Sequence, residues 1–191
     1  MLLNWTTSYF ASDTSLILLP GNHSLSSNLT ITNISSLSLL ARATLATETR
    51  VLCSPGVSFR FQYIDEVIVN GLVLFGCMST ITSVGQFTLE ECKIESNSAG
   101  SALELKVVDS ANIQRSFFHM NDPGGNYTAG GAVFIAESNL SIANTYFDKN
   151  FASSGGSVFA LKSSVSIHNS TLTNNAAAYK AGQTYLWVSR C

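Results

Sequence analysis

The chain has 191 residues, a formal net charge of −2 and only 12% charged residues, roughly half the share of an ordinary globular domain. The low charge excludes an electrostatic surface for nucleic acid and a long charged coiled coil, and 46% hydrophobic residues exclude intrinsic disorder. Uncharged polar residues fill the gap, with 28 Ser, 16 Thr and 15 Asn.

The N-terminal part predicts short strands in a less regular arrangement than the rest. Residues 1–5 lack the basic start and the apolar stretch of a secretory signal. Apolar alternation predicts strands at residues 16–19, 29–32 and 37–41, separated by polar turns. We therefore expect residues 1–50 to form either irregular first turns or a cap, and residues 51–191 to form regular repeats.

An internal repeat dominates the C-terminal half. Gly130-Gly131-Ala132-Val133 recurs as Gly155-Gly156-Ser157-Val158, and Phe147-Asp148-Lys149-Asn150 recurs as Leu172-Thr173-Asn174-Asn175. Both pairs are separated by the same 25 residues. Weaker copies of the second element occur earlier, and the C-terminal copies are followed by an apolar stretch that ends at Cys191. The abrupt end suggests a piece of a longer gene product.

The earlier copies extend the repeat towards the N-terminus. They begin at Leu74, at Ile94 and at Phe118, whose element ends at Asn121, and Cys77 replaces Asn in the first. Residues 122–125 account for one longer step as a loop insertion. A unit of 20 to 30 residues made of strands and turns cannot bury its own apolar face, so it must stack on its neighbours.

The repeat therefore predicts an all-β parallel solenoid in which equivalent residues form columns. Phe118, Phe147 and Leu172 would form an interior apolar stack. Asn121, Asn150 and Asn175 would form a ladder at a corner, where Asn tolerates left-handed backbone and its amide can bond to the next turn. The paired glycines Gly130-Gly131 and Gly155-Gly156 would allow positive φ or close backbone approach at another corner.

These elements resemble the Gly-Gly-Ala-apolar and Phe-x-x-Asn repeats of the polymorphic membrane proteins of chlamydiae. They are also similar to repeats in right-handed parallel β-helix proteins of large extracellular eukaryotic gene products, which share the fold of pectin lyases. The resemblance covers residues 87–175. It implies a right-handed parallel β-helix of about six to seven turns, surface display and adhesion, and it does not imply catalysis.

Asparagine sequons and cysteines both bear on the compartment. Seven Asn residues precede x-Ser/Thr and could carry glycans in a eukaryotic secretory route: Asn4, Asn22, Asn28, Asn33, Asn126, Asn139 and Asn169. Cys53, Cys77, Cys92 and Cys191 lack metal-site spacing and allow one or two disulfides with three possible connectivities, or buried free thiols. We expect an extracellular or cell-surface location, and no run of about 18 apolar residues predicts a membrane span.

Few residues are candidates for chemistry, and no motif predicts a catalytic site, metal site or cofactor. His119 with Asp122 is the best local acid–base pair, beside the insertion. Asp65-Glu66 is interpreted as a solvated corner. Phe61 and Tyr146 are predicted in the core, whereas Tyr127 is predicted to be exposed.

The expected function is therefore a non-enzymatic structural or adhesive segment that contacts a protein or glycan at a surface. Two alternatives remain open: a polysaccharide-binding module, or a polysaccharide lyase or hydrolase. The strings typical of polygalacturonase-like enzymes (Asn-Thr-Asp, Asp-Asp, Gly-His-Gly and Arg-Ile-Lys) do not occur in the chain.

Overall fold

The computed structural model describes residues 12–42, 48–98, 100–122, 124, 129–180 and 182–187. In these ranges the chain forms strands and turns and no helix. The strands are β1 (Asp13–Leu18), β2 (Gly21–Leu25), β3 (Leu29–Ala41), β4 (Thr49–Cys53), β5 (Ser58–Asn70), β6 (Leu72–Phe75), β7 (Met78–Glu90), β8 (Lys93–Glu95), β9 (Leu103–Gln114), β10 (Phe117–His119), β11 (Val133–Ala136), β12 (Asn139–Ala143), β13 (Tyr146–Asp148), β14 (Phe151–Ser154), β15 (Val158–Leu161), β16 (Ser164–His168), β17 (Thr171–Thr173), β18 (Ala176–Lys180) and β19 (Thr184–Trp187).

These strands form three parallel sheets, which the chain visits repeatedly as it winds. One sheet has ten strands, a second has seven, and β14 pairs with β18 in a third. On the main path of the largest sheet, the eight strands β1, β3, β5, β7, β9, β11, β15 and β19 lie side by side. The predicted parallel β-helix is confirmed, and eight strands with seven turns between them agree with the predicted size.

Strand register follows the repeat found in the sequence. Val133 pairs with Val158 and Phe147 with Leu172, which is the 25-residue step. Turns are not uniform in length, because Ser58 pairs with Met78 whereas Leu29 pairs with Phe59. Turns of 20 and 30 residues thus keep the strands in register.

The N-terminal strands belong to the same solenoid. β1 pairs with β3, and β3 pairs with β5 over most of its length. The described strands of residues 13–41 therefore pair in parallel with the strands that follow them. The two strands predicted at residues 29–32 and 37–41 are one continuous strand, β3.

The core lies between the sheets and is built from inward columns. Phe118 and Phe147 are fully buried, and their ring centroids lie 4.9 Å apart in a parallel stack. Leu172 is partly buried and extends this column by one turn. Phe61 is also buried, as predicted. Stacked apolar columns remove a continuous surface from water, which is the main stabilising term for a solenoid.

Left-handed residues form the corners, and equivalent residues adopt this conformation in successive turns. Three sets of non-glycine residues have φ between 45° and 58°. The first set is Asn33, Tyr63, Ser83, Val107, Glu137 and Lys162. The second is Glu91, Arg115, Asn144 and Asn169, and the third is Ser96, Met120, Lys149 and Asn174. Where charges stack in these sets, they alternate in sign, as in Glu137 with Lys162.

In the second and third sets, and after Glu137 and Lys162 in the first, the residue that follows the left-handed residue holds the corner through its side chain. The earlier turns of the first set have a buried apolar residue there instead, namely Ile34, Ile64, Val84 and Val108. Ser138 accepts a hydrogen bond from the backbone N–H of Val108 at 2.8 Å and donates its hydroxyl to the carbonyl of Ala136 at 2.7 Å. Thr145 does the same towards Ser116 and Ala143. Corners interrupt the regular ladder, and at these positions a short hydroxyl or amide side chain satisfies the backbone.

In the asparagine ladder, side-chain amides take the place of the hydroxyl groups. Oδ1 of Asn150 accepts from the backbone N–H of Asn121 at 3.2 Å and from its Nδ2 at 2.9 Å. Asn175 repeats both bonds towards Asn150. The expected left-handed backbone lies one residue earlier in each turn, at Met120, Lys149 and Asn174. The ladder Asn residues are therefore selected for their amide groups.

A β-branched residue occupies one left-handed position. Val107 has φ 55° and is 50% exposed, so it has strained backbone and little packing to lose. Val107→Asn should raise the free energy of unfolding by about 1 kcal/mol, measured by urea denaturation, because Asn tolerates this conformation better. Val107→Ala should change it less, since Ala removes the branch and keeps the conformational cost. A less stable Val107→Asn protein would contradict the explanation.

The paired glycines occupy a fourth corner and have different roles. Gly130 and Gly155 have φ of 69° and 60°, which only glycine adopts easily. Gly131 has no left-handed backbone, but a Cβ placed on it would overlap the backbone oxygens of Phe151 and Gly156. A Cβ on Gly130 would also overlap the carbonyl oxygen of Val133, so the first glycine combines positive φ with close approach, whereas the second has close approach alone.

One disulfide joins two consecutive turns. Cys53 and Cys77 are bonded, with their Cα atoms 5.1 Å apart. Closing a loop of this size stabilises a fold by about 3 kcal/mol. Cys92 is a buried free thiol, and burial raises its pKa to about 12. Cys191 lies outside the described residues. The disulfide indicates an oxidising compartment.

Candidate functional site

Ionisable and aromatic side chains gather on the outer face of the seven-stranded sheet. Strands β8, β10 and β13 are adjacent there, and their central residues Ile94, Phe118 and Phe147 point inward. Alternation therefore turns the flanking residues outward. Together with one residue of β4 they form the charged strip, which consists of Arg50, Lys93, Glu95, Phe117, His119, Tyr146 and Asp148.

Register divides most of the strip into two columns. Lys93, Phe117 and Tyr146 are neighbours in one column, and Glu95, His119 and Asp148 are neighbours in the other. An imidazole thus lies between two carboxylates on adjacent strands. The spacing between neighbouring strands is about 4.8 Å, which brings these groups close together.

Two cations neutralise Glu95. Its Oε1 lies 3.1 Å from Nη2 of Arg50, and its Oε2 lies 2.7 Å from Nζ of Lys93. The Glu95 side chain is only 9% exposed, whereas those of Arg50 and Lys93 are 38% and 37% exposed. The cations therefore cover the carboxylate and are themselves accessible to a partner. A carboxylate buried to this degree needs such compensation.

Asp148 is held by neutral donors and by His119. Its Oδ1 accepts from Nδ2 of Asn174 at 2.7 Å and from Oγ1 of Thr173 at 3.3 Å. Nδ1 of His119 lies 3.3 Å from Oδ2. The amide of Asn174 is the largest cause that lowers the pKa of Asp148, with smaller contributions from Thr173, Lys149 and His119.

Aromatic rings connect the two carboxylate groups. The ring of Phe117 lies 5.3 Å from that of His119 and 5.3 Å from that of Tyr146, both in stacked geometry. Lys93 Nζ lies 5.9 Å from the Phe117 centroid, within cation–π range. The hydroxyl oxygen of Tyr146 lies 2.9 Å from Oγ1 of Thr173, within hydrogen-bond distance. The strip is thus one connected network rather than separate surface groups.

Acid should weaken the fold through Asp148. A carboxylate with a lowered pKa in the folded state stabilises the protein above its unfolded pKa of about 3.9, and this contribution disappears as pH falls through the folded pKa. We expect the stability of the wild-type protein to fall between about pH 5 and pH 2, and Asp148→Asn to fall less steeply over this range. Thermal unfolding followed by circular dichroism at each pH measures this difference.

Asn174→Gly is the matched variant for that experiment. Glycine keeps the left-handed backbone of Asn174 and removes only the amide that bonds Asp148. Its acid dependence should lie between those of the wild-type protein and Asp148→Asn. Parallel curves for all three proteins would show that Asp148 does not contribute.

The arrangement suits binding more than proton transfer. Both carboxylates of the strip are occupied, one by two cations and the other by two hydrogen bonds and an imidazole. Among the described residues, no group of three or more His, Cys, Asp and Glu side chains is placed to hold a metal ion. What the strip offers outward is two cations and two aromatic rings on a rigid sheet.

Several residues predicted from the sequence lie elsewhere than expected. His119 contacts Asp148 rather than Asp122, whose carboxylate accepts from the backbone N–H of Gly124 at 3.0 Å. Tyr146 is 39% exposed, so its predicted core position is wrong: Phe147 takes the inward position, and alternation turns Tyr146 outward.

Asp65, Glu66 and the two other histidines of the chain lie apart from the charged strip. Asp65 and Glu66 are both exposed. His23 is buried in β2, with Nε2 2.7 Å from the carbonyl of Leu19, and His168 is exposed at the end of β16. Tyr127 lies outside the described residues. None of these four described side chains joins the charged strip.

A second outward feature lies on the ten-stranded sheet. Phe134, Phe159 and Tyr185 are register partners on β11, β15 and β19, with centroids 5.8 Å and 5.2 Å apart. Their rings stack on one another, at interplanar angles of 7° and 19°. Earlier strands have Thr80 and Glu104 at this position. The 25-residue step, combined with alternation after the glycine pair, is the sequence signal that could have revealed this column.

Comparison with protein-family models, with curated proteins and with solved structures finds no match. In the described part of the chain, no helix has the length and apolar character of a membrane span.

Proposed function

We propose that this chain is a non-enzymatic segment of an extracellular or cell-surface protein, and that it binds a protein partner through the charged strip. The observation that carries the proposal is the strip: two cations and two aromatic rings are fixed on an extended rigid face. Arg and aromatic residues are the types enriched at protein interfaces and their hot spots. The disulfide, the sequons and the resemblance to repeats of surface proteins support the setting.

Preorganisation strengthens the proposal. The side chains of the strip are held by contacts within the chain, such as the 2.7 Å pair of Lys93 with Glu95. A partner would therefore meet groups that lose little conformational freedom on binding. A wholly exposed cluster of flexible lysines would lack this advantage.

The test measures binding of the purified protein to immobilised extracellular-matrix proteins and to cultured cell layers. Tyr146 and Phe75 are 39% and 40% exposed on the same sheet, so the double variant Tyr146→Ser/Phe75→Ser removes apolar contacts from this face while sparing the core. We expect binding by the wild-type protein and a loss of about tenfold or more in the double variant, as for interface hot spots. Tyr63→Ser is the matched control, because Tyr63 is 62% exposed at a corner of the other sheet.

Two outcomes would overturn the proposal. One is equal loss of binding by Tyr63→Ser, which would mean that the strip is not the contact surface. The other is absence of binding to every protein and cell layer, together with cleavage of a polysaccharide, which would support the lyase or hydrolase alternative.

A polysaccharide-binding module is the second candidate, favoured by the outward column of Phe134, Phe159 and Tyr185. This candidate ranks second because sugar rings bind the faces of aromatic side chains, and here the ring faces cover one another. A glycan array probed with the purified protein separates the two functions. Glycan binding that is lost in Phe159→Ser and kept in Tyr146→Ser/Phe75→Ser would favour the second candidate.

A further inference from the structure

The structure distinguishes the candidate sites of N-linked glycosylation from one another. Five of the seven sequons lie in the described residues: Asn22, Asn28, Asn33, Asn139 and Asn169. All five are exposed, so exposure alone does not distinguish them. The sites differ in the hydrogen bonds that the amide nitrogen Nδ2 forms, and Nδ2 is the atom that carries the glycan.

The first three sequons leave this nitrogen free of bonds between turns. Asn28 uses its Oδ1, which accepts from the backbone N–H of Ser58 at 2.9 Å and from its hydroxyl at 3.1 Å. Nδ2 of Asn33 reaches only its neighbour Thr32, at 3.3 Å. The side chain of Asn22 forms no hydrogen bond with another described residue and lies on the outer face of β2.

The other two sequons use the nitrogen to join turns. Nδ2 of Asn139 donates to the carbonyl of Asp109 at 2.9 Å, on the preceding turn. Nδ2 of Asn169 donates to Oδ1 of Asn144, also on the preceding turn. A glycan on either nitrogen would place a bulky group between two stacked turns.

We propose that N-glycans are carried at Asn22, Asn28 and Asn33 and not at Asn139 or Asn169 in the folded protein. The inference rests on the proposed secretory setting. In the transfer, Nδ2 of Asn attacks the anomeric carbon of a lipid-pyrophosphate-linked oligosaccharide. The new C–N bond replaces the C–O bond to phosphate, the lipid pyrophosphate leaves, and the amide loses one proton.

The three sites fall within a single coil, residues 22–33, at the N-terminal end of the described solenoid. This placement leaves the strands that carry most of the charged strip, β8, β10 and β13, without a glycan. Asn22 is the register partner of Arg50, so its glycan would border the strip at that end. Glycosylation and the proposed binding surface are thus compatible.

The experiment is secretion of the chain, behind a signal peptide, from eukaryotic cells. The secreted protein is digested with a protease that removes unfolded chains, then with an N-glycanase that converts each glycosylated Asn into Asp. Peptide mass spectrometry should read Asp at positions 22, 28 and 33 and Asn at positions 139 and 169.

The variants Ser24→Ala, Thr30→Ala and Ser35→Ala provide the control. Each removes one sequon while keeping the Asn, and all three side chains are exposed. Each should remove one glycan and leave the resistance to protease unchanged.

Two results would overturn the inference: unmodified Asn at positions 22, 28 and 33 in secreted, disulfide-bonded protein, or modified Asn at positions 139 and 169 in the protease-resistant fraction. If the secreted protein has this glycan pattern but does not bind matrix proteins, only the proposed function is contradicted. Secretion and formation of the Cys53–Cys77 disulfide are scored separately, so the two proposals fail independently.

Discussion

Asn150→Ala should lower the free energy of unfolding by about 3 to 5 kcal/mol, measured by urea denaturation. Asn150 is fully buried and lies in the middle of the ladder. Its amide accepts two hydrogen bonds from Asn121 and donates to the carbonyl of Phe118 at 3.1 Å and to Oδ1 of Asn175. Alanine would leave several buried polar groups unsatisfied at once, and each such group costs about 1 to 3 kcal/mol.

Asn112→Ala is the control for this variant. Asn112 lies in β9 on an outward, partly exposed position, and its change should stay within about 0.5 kcal/mol. Equal effects of the two substitutions would show that the ladder contributes no more than an ordinary surface amide.

Gly131→Ala is the second substitution with a large expected effect. The added Cβ would overlap the backbone oxygens of Phe151 and Gly156, so strands of two turns would have to separate. We expect a loss of about 3 kcal/mol or more in the free energy of unfolding, at the upper end of overpacking effects, because backbone cannot move aside as a flexible side chain can.

Gly182→Ala tests the same column where it is less crowded. A Cβ on Gly182 would lie 3.1 Å from the carbonyl oxygen of Asn175, a contact that a small shift relieves. It should cost about 1 kcal/mol or less. A protein that fails to fold with Gly131→Ala and folds with Gly182→Ala supports the explanation, whereas similar stabilities of the two variants contradict it.

The unusual composition has a more specific cause than stacking alone. Stacked columns disfavour like charges, and the charges present pair with opposite ones, as Arg115 does with Glu91 at 3.1 Å. The corners add a positive requirement for Ser, Thr and Asn. At the polar corners a short side chain accepts from the backbone N–H of the preceding turn, as Ser138, Thr145 and Asn150 do in one coil.

Much of the fold could be predicted because a repeat records register directly. The 25-residue step placed Val133 beside Val158 and Phe147 beside Leu172 without any structural information. The weaker copies of the repeat also predict the register correctly, since Leu74 pairs with Ile94 and Ile94 with Phe118. In a solenoid, equivalent residues in successive turns are neighbours, so finding the repeat is equivalent to finding the contacts.

The candidate site could not be predicted in the same way, because it depends on which face each residue occupies. Tyr146 and Phe147 are adjacent, so the predicted inward position of Phe147 implies by strand alternation that Tyr146 points outward, and the separate prediction of Tyr146 in the core conflicts with it. Local spacing suggested Asp122 as the partner of His119, whereas the partner is Asp148, one turn away. A strand residue meets its neighbours through register, so proximity along the chain misleads.

The sequence by itself determined that this protein is a low-charge parallel β-helix, because the period, the apolar alternation and the Ser, Thr and Asn content all follow from stacking turns. Only the tertiary structure decided that Cys53 bonds Cys77, that left-handed residues precede the ladder side chains, and that a charged strip covers one sheet. The physical reason is that a period fixes which turns touch, whereas the winding of each turn fixes which side chains face the core, the corner or the solvent.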